Sequence, residues 1–555
     1  MKLEAFLRRW SQGWRGPFLA ALIALAAGLP GLLAVPPLDR DESRFAQATA
    51  QMLEDGDFVV IRFQDAPRFK KPVGIHWMQA ASVRVFSDPE ARQIWAYRLP
   101  SLAGAMLAAA ACAWGAAAFF GGGTSLAAGA ILGSTLLLST EAFIAKTDAV
   151  LCGTTTLAMA ALGRIYAARD GPGSGRRIKL LFWLGISLAT LVKGPVGPMV
   201  VMLAALTLAA WDRRAGWLKT IGWGWGLILL AAICGPWAGA VTIATDGAFW
   251  TTALASDLAP KLAGGQETHG APPGYHTAMA LILFFPATLL LPAAAVTAWR
   301  ERRQPGVRFA LAWLAPAWLV FELVPTKLAH YPLPAYGALA WLAAAALRDV
   351  RGPGERWTGA ALSALAGLAL AAGVFYLTTQ YGDAGDVSAA AVAGGLLAMA
   401  GLAGGFLLIR KAQHGALAVA LGLGIAGHAA LAALLLPRLG PLWLSHRTEA
   451  AMAAANLLPR QGMASAPVAV AGYAEPSLVF ALGTPTELGG ADEAAAAIAD
   501  GRPAVVEARE EPAFRRALAA VGAQALATGE VKGLDYSNGD RDVLRIYRPK
   551  EPPGE

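Results

Sequence analysis

The sequence predicts an all-α polytopic membrane protein of about thirteen transmembrane helices, followed by a small C-terminal α/β domain. Three observations lead there. Of 555 residues, 56% are hydrophobic and only 15% are charged, whereas soluble domains carry about a quarter charged residues. Apolar runs of the length that crosses a bilayer, about 20 residues as a helix, recur from residue 17 to residue 436. From about residue 440 the composition turns to short alternating elements bounded by Gly, Pro and Asp.

The expected spans are 17–37, 98–120, 124–141, 147–167, 179–192, 196–211, 219–241, 277–297, 308–324, 332–347, 357–377, 388–408 and 415–436. Their orientation follows from the positive-inside rule. With a cytoplasmic N-terminus, the loops on that side are RIYAARDGPGSGRRIK, WDRRAGWLK, WRERRQPGVR, RDVRGPGER and RKAQHG, all rich in Arg or Lys. The N-terminal segment MKLEAFLRRWSQGWR is basic, as in a signal peptide. The run after it is long enough to span, and LLAVPP offers no persuasive cleavage site, so it is read as a retained first helix.

The opposite, outward face then receives loop 38–97, the junction 141–148, KGPVGP at 193–198, loop 242–276, PTKLAHYP and everything from about 440. This divides the chain into a membrane domain, 1–439, and a periplasmic α/β domain, 440–555. In the latter, PVAVAGYAEPSLVFALG, RPAVVEARE and DVLRIYRP are expected as strands. EAAMAAANLLPR, ADEAAAAIADG and EPAFRRALAAVG are expected as amphipathic helices.

The net charge of +8 sits mostly in short inter-span loops, where it sets orientation. No contiguous basic surface is left for a nucleic acid. Cys112, Cys152 and Cys234 lie in or beside apolar runs and are expected as small buried residues, with no disulfide framework.

Several outward segments carry chemistry-bearing residues. PPLDRDESRFAQATAQMLEDGDFVV places Asp39, Asp41, Glu42 and Arg44 directly after a span. Phe45, Ala48, Met52 and Leu53 then have the spacing of a helix lying in the membrane interface. Lys70 and Lys71 precede a second amphipathic stretch holding His76, Trp77 and Met78. STEAFIAKTDAVL sets Lys146 and Asp148 at the outer start of a span, where a carboxylate needs a cationic or ligand partner. Lys193 in KGP is similarly placed. GGQETHGAPPGYH contains Glu267, His269, Tyr275 and His276, and two potential ligands are too few to specify a metal. PTKLAHYPLPAY brings Lys327, His330, Tyr331 and Tyr336 to another outer mouth, shaped by its prolines. Acids, bases and cations from distant parts of the chain thus meet on one membrane face, which suits a reaction on a lipid headgroup.

DRDESRFAQATAQMLEDGDFVV, APRFKKPVGIHW and AYRLPSL resemble the first loop of the aminoarabinose-transferase and protein-mannosyltransferase group of GT-C glycosyltransferases. The similarity continues through TDAVL, LVKGPVGP, ETHGAPPGYH, PTKLAHYPLPAY, GYAEPSLVFALG and GLDYSNGDRDVLRIYR, closest to the bacterial lipid-modifying branch. The resemblance implies a multi-pass enzyme of the bacterial inner membrane. It would take a sugar from a polyprenyl-phosphate donor, among membrane lipids, and pass it to a lipid A-like acceptor with inversion at the anomeric carbon. It implies catalytic acids at Asp41 and Asp148, and a donor-phosphate cluster of Arg44, Lys71, Lys327, His330 and Tyr331. In the family, a Glu before the lysine and a loop histidine resembling His269 can hold a divalent metal. Here Lys70 replaces that Glu, removing a hard oxygen ligand and adding like charge, which argues against the metal.

Two other functions fit the bulk pattern. Protein O-mannosylation differs in its acceptor. A sugar-lipid transporter or flippase expects ionisable groups near mid-bilayer and paired broken helices, whereas these ionisable groups gather at span ends.

Overall fold

The computed structural model describes residues 13–171, 173–258, 270–348, 350, 352–535 and 538–550. The chain enters the helical bundle as α1 (Arg15–Ala34). Its first connection holds α2 (Asp41–Asp55), an antiparallel ladder of β1 (Arg62–Phe63) with β2 (Ala66–Pro67), and α3 (Gly74–Phe86). Next come α4 (Ile94–Ala116), α5 (Gly122–Ser134), α6 (Leu136–Glu141), α7 (Asp148–Ala167), α8 (Arg176–Lys193), α9 (Val196–Asp212) and α10 (Trp223–Ala244). Then follow α11 (Tyr275–Leu283), α12 (Leu291–Arg300), α13 (Pro305–Leu323), α14 (Tyr336–Ala346), α15 (Pro353–Tyr381), α16 (Val387–Ile409) and α17 (Gln413–Ala430).

Every expected span holds a helix, and the protein is a polytopic membrane protein. Among the described residues, eight helices are long and apolar enough to cross a bilayer, or nine if the pair Tyr275–Leu283 and Ala287–Arg300, bent by 117°, makes one span. The remaining expected spans are short or interrupted. The 124–141 run, for example, breaks between α5 and α6, where the Leu136 N–H leaves the helical ladder to donate to the Phe285 carbonyl at 2.7 Å.

Helix α7 is the hub of the bundle, buried along almost its whole length, whereas α10 buries only Gly226, Trp237 and Val241 and faces the surroundings. Glycines set the approach of α4 to α7. A Cβ on Gly153 would lie 2.4 Å from the Gly104 carbonyl oxygen, and one on Gly104 would lie 2.6 Å from Val150 Cα. At the end of the bundle away from α2, Asp212 of α9 accepts from Tyr166 of α7 at 2.7 Å and pairs with Arg308 of α13. Arg169 adds a contact at 3.6 Å.

After the bundle, α18 (Leu444–Ala454), β3 (Ala469–Ala471), α19 (Pro476–Leu482), β4 (Glu487–Gly489), α20 (Ala491–Ala499), β5 (Ala504–Glu507), α21 (Glu511–Ala520), β6 (Ala525–Leu534) and β7 (Arg541–Pro549) form an α/β unit. Its five-stranded sheet has the order β4-β3-β5-β7-β6, parallel across β4, β3 and β5 and antiparallel across β5, β7 and β6. All three expected helices form. The stretch PSLVFAL, expected as strand, is instead the helix α19, started by Pro476 and buried along its whole length. A short, uniformly apolar run has no period to distinguish helix from strand. Strand β6 was not expected, because ALATGEVKGL is mostly exposed and carries little apolar alternation.

The helix expected in the membrane interface does form as α2, ending at Gly56 with φ 72°. It does not present one face to lipid. Ser43, Gln47, Thr49 and Gln51 are buried along with Phe45, Ala48 and Met52, because α3 and the first connection cover one side and the C-terminal unit docks on the other. Gln47 Nε2 donates to Thr484 Oγ1 at 2.7 Å, and Gln64 Nε2 to the Thr486 carbonyl at 2.6 Å. Arg92 reaches Gln47 Oε1 at 2.7 Å and the Phe480 carbonyl at 2.9 Å, and pairs with Glu54. Phe480 itself meets Tyr97 edge to face at 5.4 Å.

Candidate active site

Four segments meet at one end of the bundle: the start of α2, the turn from α6 into α7, the end of α8, and the stretch between α13 and α14. What fixes the first is Glu42. Its carboxylate is buried and accepts from Leu38 N at 2.8 Å and Ala145 N at 2.7 Å. Arg98 of α4 grips it through Nε at 2.8 Å and Nη2 at 2.7 Å, and also bonds the Val35 carbonyl at 2.5 Å and the Pro36 carbonyl at 2.9 Å. One ion pair therefore fastens the end of α1, the start of α2, and the turn ahead of α7.

On that anchored helix start, Asp41 is the first residue and is exposed. The positive end of the helix dipole favours its carboxylate. Arg40, just before it, is held at φ 60°, a conformation L-residues seldom adopt. Such strain gathers where a fixed direction is needed, at a cost of about 1–3 kcal/mol. Arg44, one turn later, is half-buried, and its guanidinium bonds nothing among the described residues.

Beside this lies a compact ionic cluster. Asp148, the first residue of α7, accepts from Lys193 Nζ at 2.5 Å. Lys146 Nζ stands 3.0 Å from Glu141 Oε1 and 3.8 Å from Asp148 Oδ2. His330 Nε2 lies 3.7 Å from Asp148 Oδ1, and Nδ1 lies 3.4 Å from Lys146 Nζ. Tyr331 packs edge-on to His330, and its ring is 5.7 Å from Lys193 Nζ. All five ionisable side chains are nearly sealed, with exposures of 6–14%. Burial would weaken the Lys146 ammonium, but Glu141 and Asp148 overcome that and hold it well above its usual range. Burial pushes His330 well below its ordinary value, against the pull of Asp148. Asp41 also acts on Lys146 through its charge, which links the cluster to the start of α2.

The expected site residues are therefore distributed unequally. Asp148, His330 and Tyr331 meet in the cluster, and Asp41 and Arg44 lie on the first turn of α2 beside it. Lys71 is half-buried in the turn before α3. Lys327 is placed differently: its ammonium is buried and donates to the Glu322 carbonyl at 2.8 Å and the Val324 carbonyl at 2.5 Å. It thus satisfies carbonyls left open at the end of α13. His76 is a core residue, bonded to Thr49 Oγ1 at 2.8 Å and stacked on Phe45. Burial lowers its pKa to about 3.

His269 lies outside the described residues. Lys70 is exposed, and its ammonium has no lone pair to offer a cation. No three His, Cys, Asp or Glu side chains among the described residues gather closely enough to hold a metal ion. At the position where the resemblance implies a Glu ligand, Lys70 does not fit a metal.

Sequence reasoning placed Lys146 and Lys193 at these span ends without assigning them a role, and it did not single out Glu141. A carboxylate ending an apolar run, as Glu141 does in LLLSTE, is the signal that would have found it.

Comparison with known proteins agrees with the resemblance read from the motifs. Residues 70–238 match the family of dolichyl-phosphate-mannose-protein mannosyltransferases. The undecaprenyl phosphate-alpha-4-amino-4-deoxy-L-arabinose arabinosyl transferase of Pseudomonas aeruginosa is 32% identical over 345 residues, covering 59% of this chain and 60% of that protein. The transferase of the same name from Aeromonas hydrophila is 29% identical over 330 residues, covering 58% of each. The chain thus spans about 60% of the length of the curated relatives it matches. The crystal structure of ArnT from Cupriavidus metallidurans bound to undecaprenyl phosphate superposes with a TM-score of 0.73 at 19% identity, over 95% of this chain and 97% of that one. The GT-C fold expected from the sequence is the fold of this chain.

Proposed function

We propose that this relative of the aminoarabinose transferases moves a sugar from a polyprenyl-phosphate donor to a lipid, lipid A-like acceptor on the outer face of a bacterial inner membrane. One observation carries the reading. The exposed carboxylate of Asp41 and the guanidinium of Arg44, unbonded among the described residues, share a helix start beside a buried cluster containing two lysines. The N-terminus would be cytoplasmic and the unit from 440 to 555 periplasmic, the arrangement the basic loops favour.

In the reaction the bond from the anomeric carbon to the phosphate oxygen breaks, and its electron pair leaves with the phosphate. A new bond forms from an acceptor oxygen to the opposite face of the same carbon. Arg44, with a planar fork for phosphate oxygens, and Lys71, a compact point charge, would take up the leaving charge. Fixed charges at a poorly hydrated mouth act more strongly than they would in water. Asp41 would balance positive charge developing on the sugar ring and, for a hydroxyl acceptor, take its proton. For a phosphate acceptor, already anionic, positioning carries more of the rate. Asp148, bonded to Lys193 and crowded by Lys146 and His330, is better placed to orient these cations than to accept a proton. Lys327 and His330 would shape the pocket, and Tyr331 would line it beside Lys193.

The test is a lipid comparison by mass spectrometry of cells carrying the wild-type gene, a deletion, and Asp41→Asn. A glycosyl mass found only with the wild type identifies sugar and acceptor together. Unchanged lipids with altered glycoproteins would point to protein O-mannosylation. A product that survives in the Asp41→Asn strain would remove Asp41 from the chemistry.

A further inference from the structure

The ionic cluster contains a constraint on proton positions. A lysine ammonium carries donors only. Lys146 Nζ is within hydrogen-bond reach of His330 Nδ1 at 3.4 Å, so Nδ1 must present its lone pair. The single N–H of a neutral imidazole then sits on Nε2, which faces Asp148 Oδ1 at 3.7 Å. A cationic ring would set an N–H against the ammonium. Lys146 in turn stays charged because Glu141 Oε1 stands 3.0 Å away in a place nearly closed to water. Glu141 has little else to do: its second oxygen is buried and bonds nothing among the described residues.

We infer that Glu141 and Lys146 are positioning residues, which together hold His330 as the neutral Nε2–H tautomer so that its ring orients Asp148 and adds no charge toward the donor phosphate. The charged and titratable groups facing His330 are Glu141 from α6, Lys146 from the turn into α7, Asp148 from α7, Lys193 from α8, His276 from α11, and its neighbour Tyr331. Among them Lys146 is the group that bonds Nδ1, and Glu141 is the carboxylate closest to Lys146. His330 is thereby removed from the phosphate-binding cations and from the general bases.

This rests on the proposed transfer reaction only for its kinetic readout. The first readout is structural: 15N NMR of histidine-labelled full-length protein in detergent, with the His330→Gln variant assigning the signal among seven histidines. The wild type should show a bare Nδ1 and no titration of His330 between about pH 5 and pH 8. In Lys146→Met the donor to Nδ1 is gone, so His330 should exchange between its two neutral tautomers, with burial still holding it uncharged. Lys146→Arg, which keeps a donor, should restore the wild-type signal, and Glu141→Gln should shift it in the same direction as Lys146→Met. In transfer assays Lys146→Met should lower kcat by about tenfold to a hundredfold, the range for losing a hydrogen bond to a charged group. KM for the donor should change less. A protonated Nδ1 in the wild type, or an unchanged signal in Lys146→Met, overturns the inference. Absence of transfer with every donor would defeat the proposed function and leave the NMR result standing.

Discussion

The ion pair of Glu42 and Arg98 allows a sharp test of what supports the site. Both side chains are fully enclosed, at 0% exposure, and the carboxylate accepts four hydrogen bonds, two from Arg98 and two from the backbone of Leu38 and Ala145. Replacing Arg98 by Met leaves an uncompensated buried carboxylate and opens three carbonyls of the 32–36 segment, those of Leu32, Val35 and Pro36. Losing one partner of a buried pair costs about 3–5 kcal/mol. Replacing both partners by apolar residues of similar size removes the charge that suffers, so Glu42→Met with Arg98→Met should recover much of that loss. The backbone donors of Leu38 and Ala145 would then stay unbonded, so recovery should stop short of the wild type by about 1–3 kcal/mol. The measurement is unfolding of the detergent-solubilised protein for the wild type, both single variants and the double variant, combined as a thermodynamic cycle. A single variant within about 1 kcal/mol of the wild type would refute the view that this pair fastens the start of α2. So would a double variant as unstable as the two singles added together, since partners in contact should couple.

Other outcomes follow from individual groups. Arg44→Ala should leave stability within about 0.5 kcal/mol, as for a side chain without partners, while weakening donor binding, read by titration with a polyprenyl phosphate. Asp39, between α1 and α2, is pushed up to about 8 by burial and by the charges of Glu475 and Asp535. The folded protein therefore keeps a proton there that the unfolded chain releases near its ordinary value of 3.8. Stability should fall as pH rises from about 4 to about 8, by no more than about 1.4 kcal/mol per pH unit, and Asp39→Asn should flatten that slope in a series of melts. At the far end of the bundle, Asp212→Ala should destabilise by roughly 3 kcal/mol, because it strands the partly buried Arg308 and the hydroxyl of Tyr166. KM for the donor should be unchanged in that variant, and a shifted KM would show coupling between the two ends.

The order of helices and the face on which the chemistry gathers were legible in the sequence, because both depend on local quantities. Apolar run length and loop charge act wherever the segment sits, and the helix starts at Asp41 and Asp148 were announced by the ends of apolar runs. The motif strings also led to the correct fold. Roles inside those strings were not legible. Asp41 and Glu42 are adjacent acids, yet one is exposed and the other is sealed by Arg98, 56 residues away. Lys327 and Lys193 look alike as lysines at span ends, but one closes a helix end while the other binds Asp148. PSLVFAL was expected as a strand, and it is a helix packed against α2. Run length and loop charge were enough to put a charged face on one end of a membrane bundle. Which of those charges neutralise one another and which stay open to a substrate emerged from the packing, because that depends on distances of 3–4 Å between segments far apart in the chain.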